Sequence, residues 1–118
     1  MNCDFWQMLD SLVASGEIII DRPRGSVHPR YPQMIYPLDY GYLKNTSSMD
    51  GEGFDVWVGT EPLRRVDAIV CTVDMVKQDS EIKILIGCTE EQKQAVMAVH
   101  NNSTGMKGIL VRREEETA

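Results

Sequence analysis

Between Ile35 and Val58 the chain reads IYPLDYGYLKNTSSMDGEGFDVWV, and this stretch limits the possible folds more than any other. Phe54, Val56 and Val58 alternate with Asp55 and Trp57, the period-2 pattern of a half-buried strand. Into that strand runs a turn in which Asp50, Glu52 and Asp55 are interleaved with Gly51 and Gly53. Oxygen ligands of this kind suit hard divalent cations, and the glycines let the backbone fold the carboxylates towards one point. Upstream, Tyr36, Tyr40 and Tyr42 supply phenols able to donate hydrogen bonds to an anion. Taken alone, Asp-Gly before a strand is an ordinary turn with solvated charges. An EF-hand does not fit, because counting from Asp50 puts Phe54 at a ligand position and Asp55 where glycine is required.

The whole stretch is more specific than its turn. Tyr36-Pro37, Tyr40-Gly41-Tyr42 and Asp50-Gly51-Glu52-Gly53-Phe54-Asp55-Val56-Trp57-Val58 are preceded by Asp21-Arg22-Pro23-Arg24-Gly25-Ser26 and by Arg30-Tyr31. In this order they resemble the soluble inorganic pyrophosphatases, whose blocks run E-x-P-[KR]-G-S, a Lys-Tyr pair, Y-P-x-x-Y-G-[YF] and D-G-D-P-x-D-V-x-V. The resemblance runs from Ile18 to Gly87, with a weaker echo to Val111. It implies an OB-like five-stranded β-barrel and Mg²⁺-dependent hydrolysis of pyrophosphate, with Mn²⁺ as a substitute.

Carried over by motif, Asp50 and Asp55 would ligate the metal, with Asp55 beside the attacking water. Glu52 falls on the position of the general base, where the family has aspartate, and Gly53 stands where it has proline. Arg24, Arg30, Tyr40 and Lys83 would contact phosphate, and Asp21 would be an acidic outer residue. One further metal ligand would fall to Glu81 or Asp79, because Gln78 to Lys83 is shorter than the family pattern. His100-Asn101 stands where a late Tyr-Lys pair is expected, and the hairpin between Tyr31 and Tyr36 is trimmed, removing an arginine. The longer side chain of Glu52 would displace its oxygens by roughly 1.5 Å, a shift that can cost about 10²-fold in rate.

Elsewhere the chain supports the same architecture. At 118 residues it reads as one domain, with an N-terminal helix over 1–16, a barrel with one helix over 17–113, and an acidic tail over 114–118. Asp4 can cap the first helix, and Glu17 to Asp21, Val66 to Val76, Ile82 to Gly87 and Ile109 to Arg112 read as strands. Thr89 with Gln92 forms a capping box opening a helix to about Val99. Short strands outnumbering helices suit a small closed barrel, mainly β with flanking helices, α+β in class.

A net charge of −6 with no basic stripe argues against a nucleic-acid partner. No apolar run reaches membrane-helix length, and the first residues lack the basic region of a signal peptide. Cys3, Cys71 and Cys88, odd in number and widely spaced, read as reduced thiols of a cytoplasmic protein. Trp6 and Trp57 read as packing residues and His100 as a surface charge near a helix end. The first helix carries more apolar surface than one stripe needs, so a homo-oligomer is expected, with Trp6 and Val13 facing a neighbouring subunit.

Three functions stay open at this level. They are hydrolysis of pyrophosphate, hydrolysis of another phosphoanhydride on the same fold, and non-catalytic binding of metal and phosphate or service as a partner subunit.

Overall fold

The computed structural model describes residues 4–47 and 53–113. Helix α1 (Phe5–Ser15) is followed by strands β1 (Ile18–Arg22), β2 (Asp39–Leu43), β3 (Asp55–Val58), β4 (Val66–Asp74) and β5 (Asp79–Ile86), then helix α2 (Glu90–Asn101) and strand β6 (Met106–Arg112). Asp50, Glu52, Cys3 and the tail from Glu114 lie outside the described residues. Among those described, no helix is long and apolar enough to cross a membrane.

The class is mainly β with two helices, as expected, but the barrel expectation needs correcting in number and closure. The strands form one six-stranded sheet in the order β1-β2-β3-β5-β4-β6, and it is not closed. Only β3 and β5 run parallel; every other neighbouring pair is antiparallel. The sixth strand is β2, Asp39–Leu43, which is not among the strands expected from the sequence and which pairs between β1 and β3. The last strand is also longer than the expected Ile109–Arg112, because Met106–Arg112 pairs with β4 along its whole length. The outer edge of β6 meets a side chain instead of a strand. Gly108 N–H donates to Asn101 Oδ1 at 2.8 Å, and Asn101 Nδ2 donates back to the Gly108 carbonyl at 3.4 Å. The backbone groups of Gly108 are thereby unavailable to another strand at this point of the edge.

Strand alternation gives the sheet two faces, and a helix lies on each. One face carries Leu43, Val56, Val58, Val66, Ile84 and Ile86, packed against Trp6, Leu9, Leu12 and Val13 of α1. Trp6 and Val13 are therefore spent on the chain's own sheet, contrary to the expectation that they face a neighbour; Phe5 and Met8 are the exposed apolar residues of this helix. Each fully buried aliphatic side chain on such a face contributes about 1.5–3 kcal/mol, which is what fixes α1 in place. Its middle is tied to the sheet by Arg113, which donates to Asp10 Oδ1 at 3.0 Å and to the Val66 carbonyl at 3.1 Å. Asp4 stands at the N-cap as expected but makes no capping hydrogen bond.

The other face carries Trp57, Ala68, Val70 and Leu85 beneath Val96 of α2, with Tyr36, Leu38 and Cys88 closing the cluster. The capping box of α2 forms as read, Gln92 N–H donating to Thr89 Oγ1 at 3.1 Å and Thr89 N–H to Gln92 Oε1 at 2.9 Å. Burial, with Asp67 nearby, pushes the Cys88 thiol up to about 12, so it is inert at neutral pH.

Candidate active site

The face beneath α2 turns polar at one end. The pairings Tyr40 with Trp57, Tyr42 with Asp55, and Trp57 with Leu85 align the strands. Side chains recur on one face every second residue, so Glu81 and Lys83 share the face of Leu85, and Asp55 that of Trp57. A step of two residues from the apolar layer therefore brings a carboxylate from β3 beside an amine from β5.

Lys83 is the centre of this group. Its side chain is only 7% exposed, and Nζ donates to Asp55 Oδ2 at 2.5 Å, Glu81 Oε2 at 2.7 Å and the Tyr40 hydroxyl at 3.3 Å. All three ammonium protons thus have acceptors. Burial opposes the charge on Lys83, but Tyr40, Asp55 and Glu81 outweigh it and hold the amine above its ordinary range. Tyr40 is a neutral phenol at physiological pH, so the attraction that matters comes from the two carboxylates. The Tyr40 phenol is itself held protonated, chiefly by burial.

Two backbone features shape the rest of the pocket. Pairing between β1 and β2 slips between Ile20 and Arg22, leaving Asp21 as an extra residue. Such a bulge re-aims side chains, and both Asp21 and Arg22 line the pocket where regular alternation would have sent one of them to the opposite face. Gly41 allows β1 to approach: a Cβ there would lie 1.8 Å from the Ile19 carbonyl oxygen. Gly53 answers to a similar constraint, its absent Cβ falling 2.5 Å from the Leu43 carbonyl oxygen. That close passage accounts for glycine where the family pattern has proline.

The result is an open cavity of about 650 Å³. Of the residues singled out in the sequence, Asp21, Tyr36, Tyr40, Tyr42, Asp55, Glu81 and Lys83 line it together. Asp79 opens β5 opposite Asp74 and is not part of the lining. Arg24 is exposed and outside the lining, where its backbone N–H donates to Asp39 Oδ1 at 2.8 Å. Arg30 is likewise exposed outside it and contributes a backbone N–H to the His28 ring. Sequence reasoning missed Arg22, His28 and Lys77 as lining residues. Arg22 ends β1 and His28 lies in the arginine-bearing loop that follows it, but the bulge that selects Arg22 leaves no sequence signal.

His100 departs furthest from its reading as a surface charge. It is buried, and its Nε2 accepts from the Trp57 indole Nε1–H at 3.1 Å. Burial, with the Lys83 charge nearby, lowers it to about 4, so it is a neutral acceptor beneath the sheet. The α2 helix extends through Asn101, which carries His100 inward over Trp57.

The donor set fits a hard divalent cation. Asp55 and Glu81 offer carboxylate oxygens only, their pair exceeds the Lys83 charge by one negative unit, and Glu81 Oε1 is buried without a partner among the described residues. Among the described residues no group of three or more His, Cys, Asp or Glu converges, so further ligands would have to come from the turn holding Asp50 and Glu52.

No family model and no curated protein matches this sequence. Solved structures do match in fold. An inorganic pyrophosphatase from Coxiella burnetii superimposes with a TM-score of 0.54 at 17% identity, over 77% of this chain and 81% of that one. The inorganic pyrophosphatase of Helicobacter pylori does so with a TM-score of 0.56 at 10% identity, over 80% of this chain and 81% of its own. The chain has the OB-like fold of the inorganic pyrophosphatases, with the sheet left open.

Proposed function

We propose that this protein hydrolyses inorganic pyrophosphate to two phosphates, using a divalent cation, with Mg²⁺ the expected ion. The observation that carries the reading is the Asp55–Lys83–Glu81 group with Tyr40, set in a polar pocket on a sheet of pyrophosphatase type. Asp55 and Glu81, joined by Asp50, would hold the cation. A bound ion would supply neutralisation of phosphoryl charge and an acidified water.

The chain's own groups bind and orient the substrate. Lys83 is already saturated by three acceptors, so an arriving phosphoryl oxygen replaces the Tyr40 hydroxyl as its third. Tyr40, protonated because it is buried, is then free to donate to the same phosphoryl group. Arg22, which pairs with Tyr40 across β1 and β2, adds to the lining a planar guanidinium suited to phosphate. Glu52 takes the proton of the attacking water, the role that the resemblance assigns to it.

The test is phosphate release from pyrophosphate in Mg²⁺, set beside release from nucleoside triphosphates. Pyrophosphate is expected to be preferred. Turnover of nucleotides alone would move the reading to another phosphoanhydride, and retained cation binding without turnover would make the protein a binder.

A further inference from the structure

His28 is a lining residue that neither the carboxylate group nor the basic strand end accounts for. It sits in the loop between β1 and β2, where Val27 and Ile35 bridge. Its Nδ1 accepts backbone N–H groups from Arg30 at 3.0 Å and from Tyr31 at 3.2 Å. This is the geometry of an Asx turn with an imidazole nitrogen in place of the usual side-chain oxygen. A ring nitrogen that accepts cannot carry the proton, so in the neutral ring the proton resides on Nε2. Burial, then the Arg22 and Arg30 charges, lower the basicity of His28 and favour that neutral form at pH 7. The ring lies nearly parallel to Tyr36, at 7° and 6.1 Å, and tilted against Tyr31 at 4.9 Å, so its direction is fixed. No acceptor for Nε2–H exists among the described residues, and the ring lines the same cavity as Arg22 and Lys83.

Resting on the proposed function, we infer that His28 is a substrate-binding residue whose Nε2–H donates to a non-bridging oxygen of the phosphoryl group held at the Arg22 end of the pocket. Tyr36 and then Tyr40 stand between His28 and Lys83, with ring centroids 6.1 Å and 5.5 Å apart in turn. The imidazole and the ammonium therefore serve different ends of a two-phosphoryl ligand. A neutral donor is apt there. Arg22 already supplies the charge, and the ring adds direction without placing another cation beside it.

The alternative is that His28 only braces its turn, and two substitutions separate the roles. His28→Asn keeps an acceptor for the turn but is too short to reach the pocket with a donor. His28→Gln sets an amide N–H near the Nε2 position but abandons the turn. The probe is methylenediphosphonate, a non-hydrolysable pyrophosphate analogue, titrated calorimetrically in Mg²⁺ alongside thermal melts. His28→Asn is expected to melt like the parent and to bind the probe roughly 10-fold more weakly, the worth of one hydrogen bond to a charged group. His28→Gln is expected to melt lower and to retain most of the affinity.

Unchanged affinity in His28→Asn would overturn the assignment, as would affinity that merely follows melting temperature across both variants. A parent that binds no probe would overturn it too. If the parent binds the probe but releases no phosphate from pyrophosphate, the hydrolytic reading fails, and the Asn variant still decides the role of His28.

Discussion

One face of one sheet holds two regions that solve burial in opposite ways. Beneath α2, Trp57, Leu85, Val70 and Val96 exclude water, and the titratable groups that share this layer are held neutral, the Cys88 thiol by a raised pKa and His100 by one lowered to about 4. Two residues along the same strands, Lys83 is as deeply buried but stays charged between Asp55 and Glu81. The first region gains from removing apolar surface from water. In the second, desolvation works against every charge, and only the close partners compensate. A stable scaffold and a reactive pocket can therefore share strands, because alternation carries their side chains on one surface at a spacing of two residues.

The largest effect should come from breaking the charged region at its centre. Lys83→Met leaves two carboxylates facing each other without their common cation. Removing one partner of a buried ion pair costs about 3–5 kcal/mol, and urea unfolding at neutral pH should show a loss of that size. Added Mg²⁺ should stabilise this variant more than the parent, because a second cation can take over the neutralisation. An Mg²⁺ response no larger than the parent's would count against a cation site at Asp55 and Glu81.

Asp55→Asn sharpens the contrast by removing charge while keeping shape. Phosphate release from pyrophosphate should fall roughly 10²- to 10³-fold, with a far smaller change in unfolding. Mg²⁺ should no longer raise the melting temperature of this variant. Full activity in the Asn protein would take Asp55 out of the mechanism.

His100 tests the apolar region by pH. Its folded value, about 4, lies below its ordinary 6.5, so between those pH values the unfolded chain binds more protons than the folded one. Stability is therefore intact above about pH 6.5 and declines as the pH falls towards 4, by on the order of 3 kcal/mol. His100→Gln, which can still accept from Trp57, should flatten that part of the stability profile. Parallel profiles for parent and variant, measured by denaturant titration from pH 4 to 7, would show that His100 does not titrate as a buried neutral group.

The smallest effect belongs to a pair at the surface. Arg112 holds Glu90 through two hydrogen bonds, at 3.0 and 2.5 Å, and keeps the Glu90 carboxyl down at about 2, yet both groups are exposed. Solvent screening erodes most of such a pairing. Glu90→Gln should barely move the melting temperature, and salt should abolish the difference. A shift comparable to that of Lys83→Met would contradict the distinction between buried and exposed charge.

What the sequence by itself determined is the part governed by local periodicity. The alternation in Phe54–Val58 and the strand read over Ile82–Gly87 placed Asp55 and Lys83 on strands, and the Thr89–Gln92 box placed the start of α2, because such patterns depend on neighbours a few residues away. The tertiary structure decided what depends on distant partners. Sequence cannot show that Asn101 occupies the edge of β6, since the two meet only after the chain turns at Ser103 to Gly105. Nor can it show that His100 accepts from Trp57, 43 positions away, or that a slipped pairing between β1 and β2 selects Arg22 for the pocket ahead of Arg24 and Arg30. A single-residue slip in register exchanges the face a side chain occupies, and register is set by the packing of whole strands.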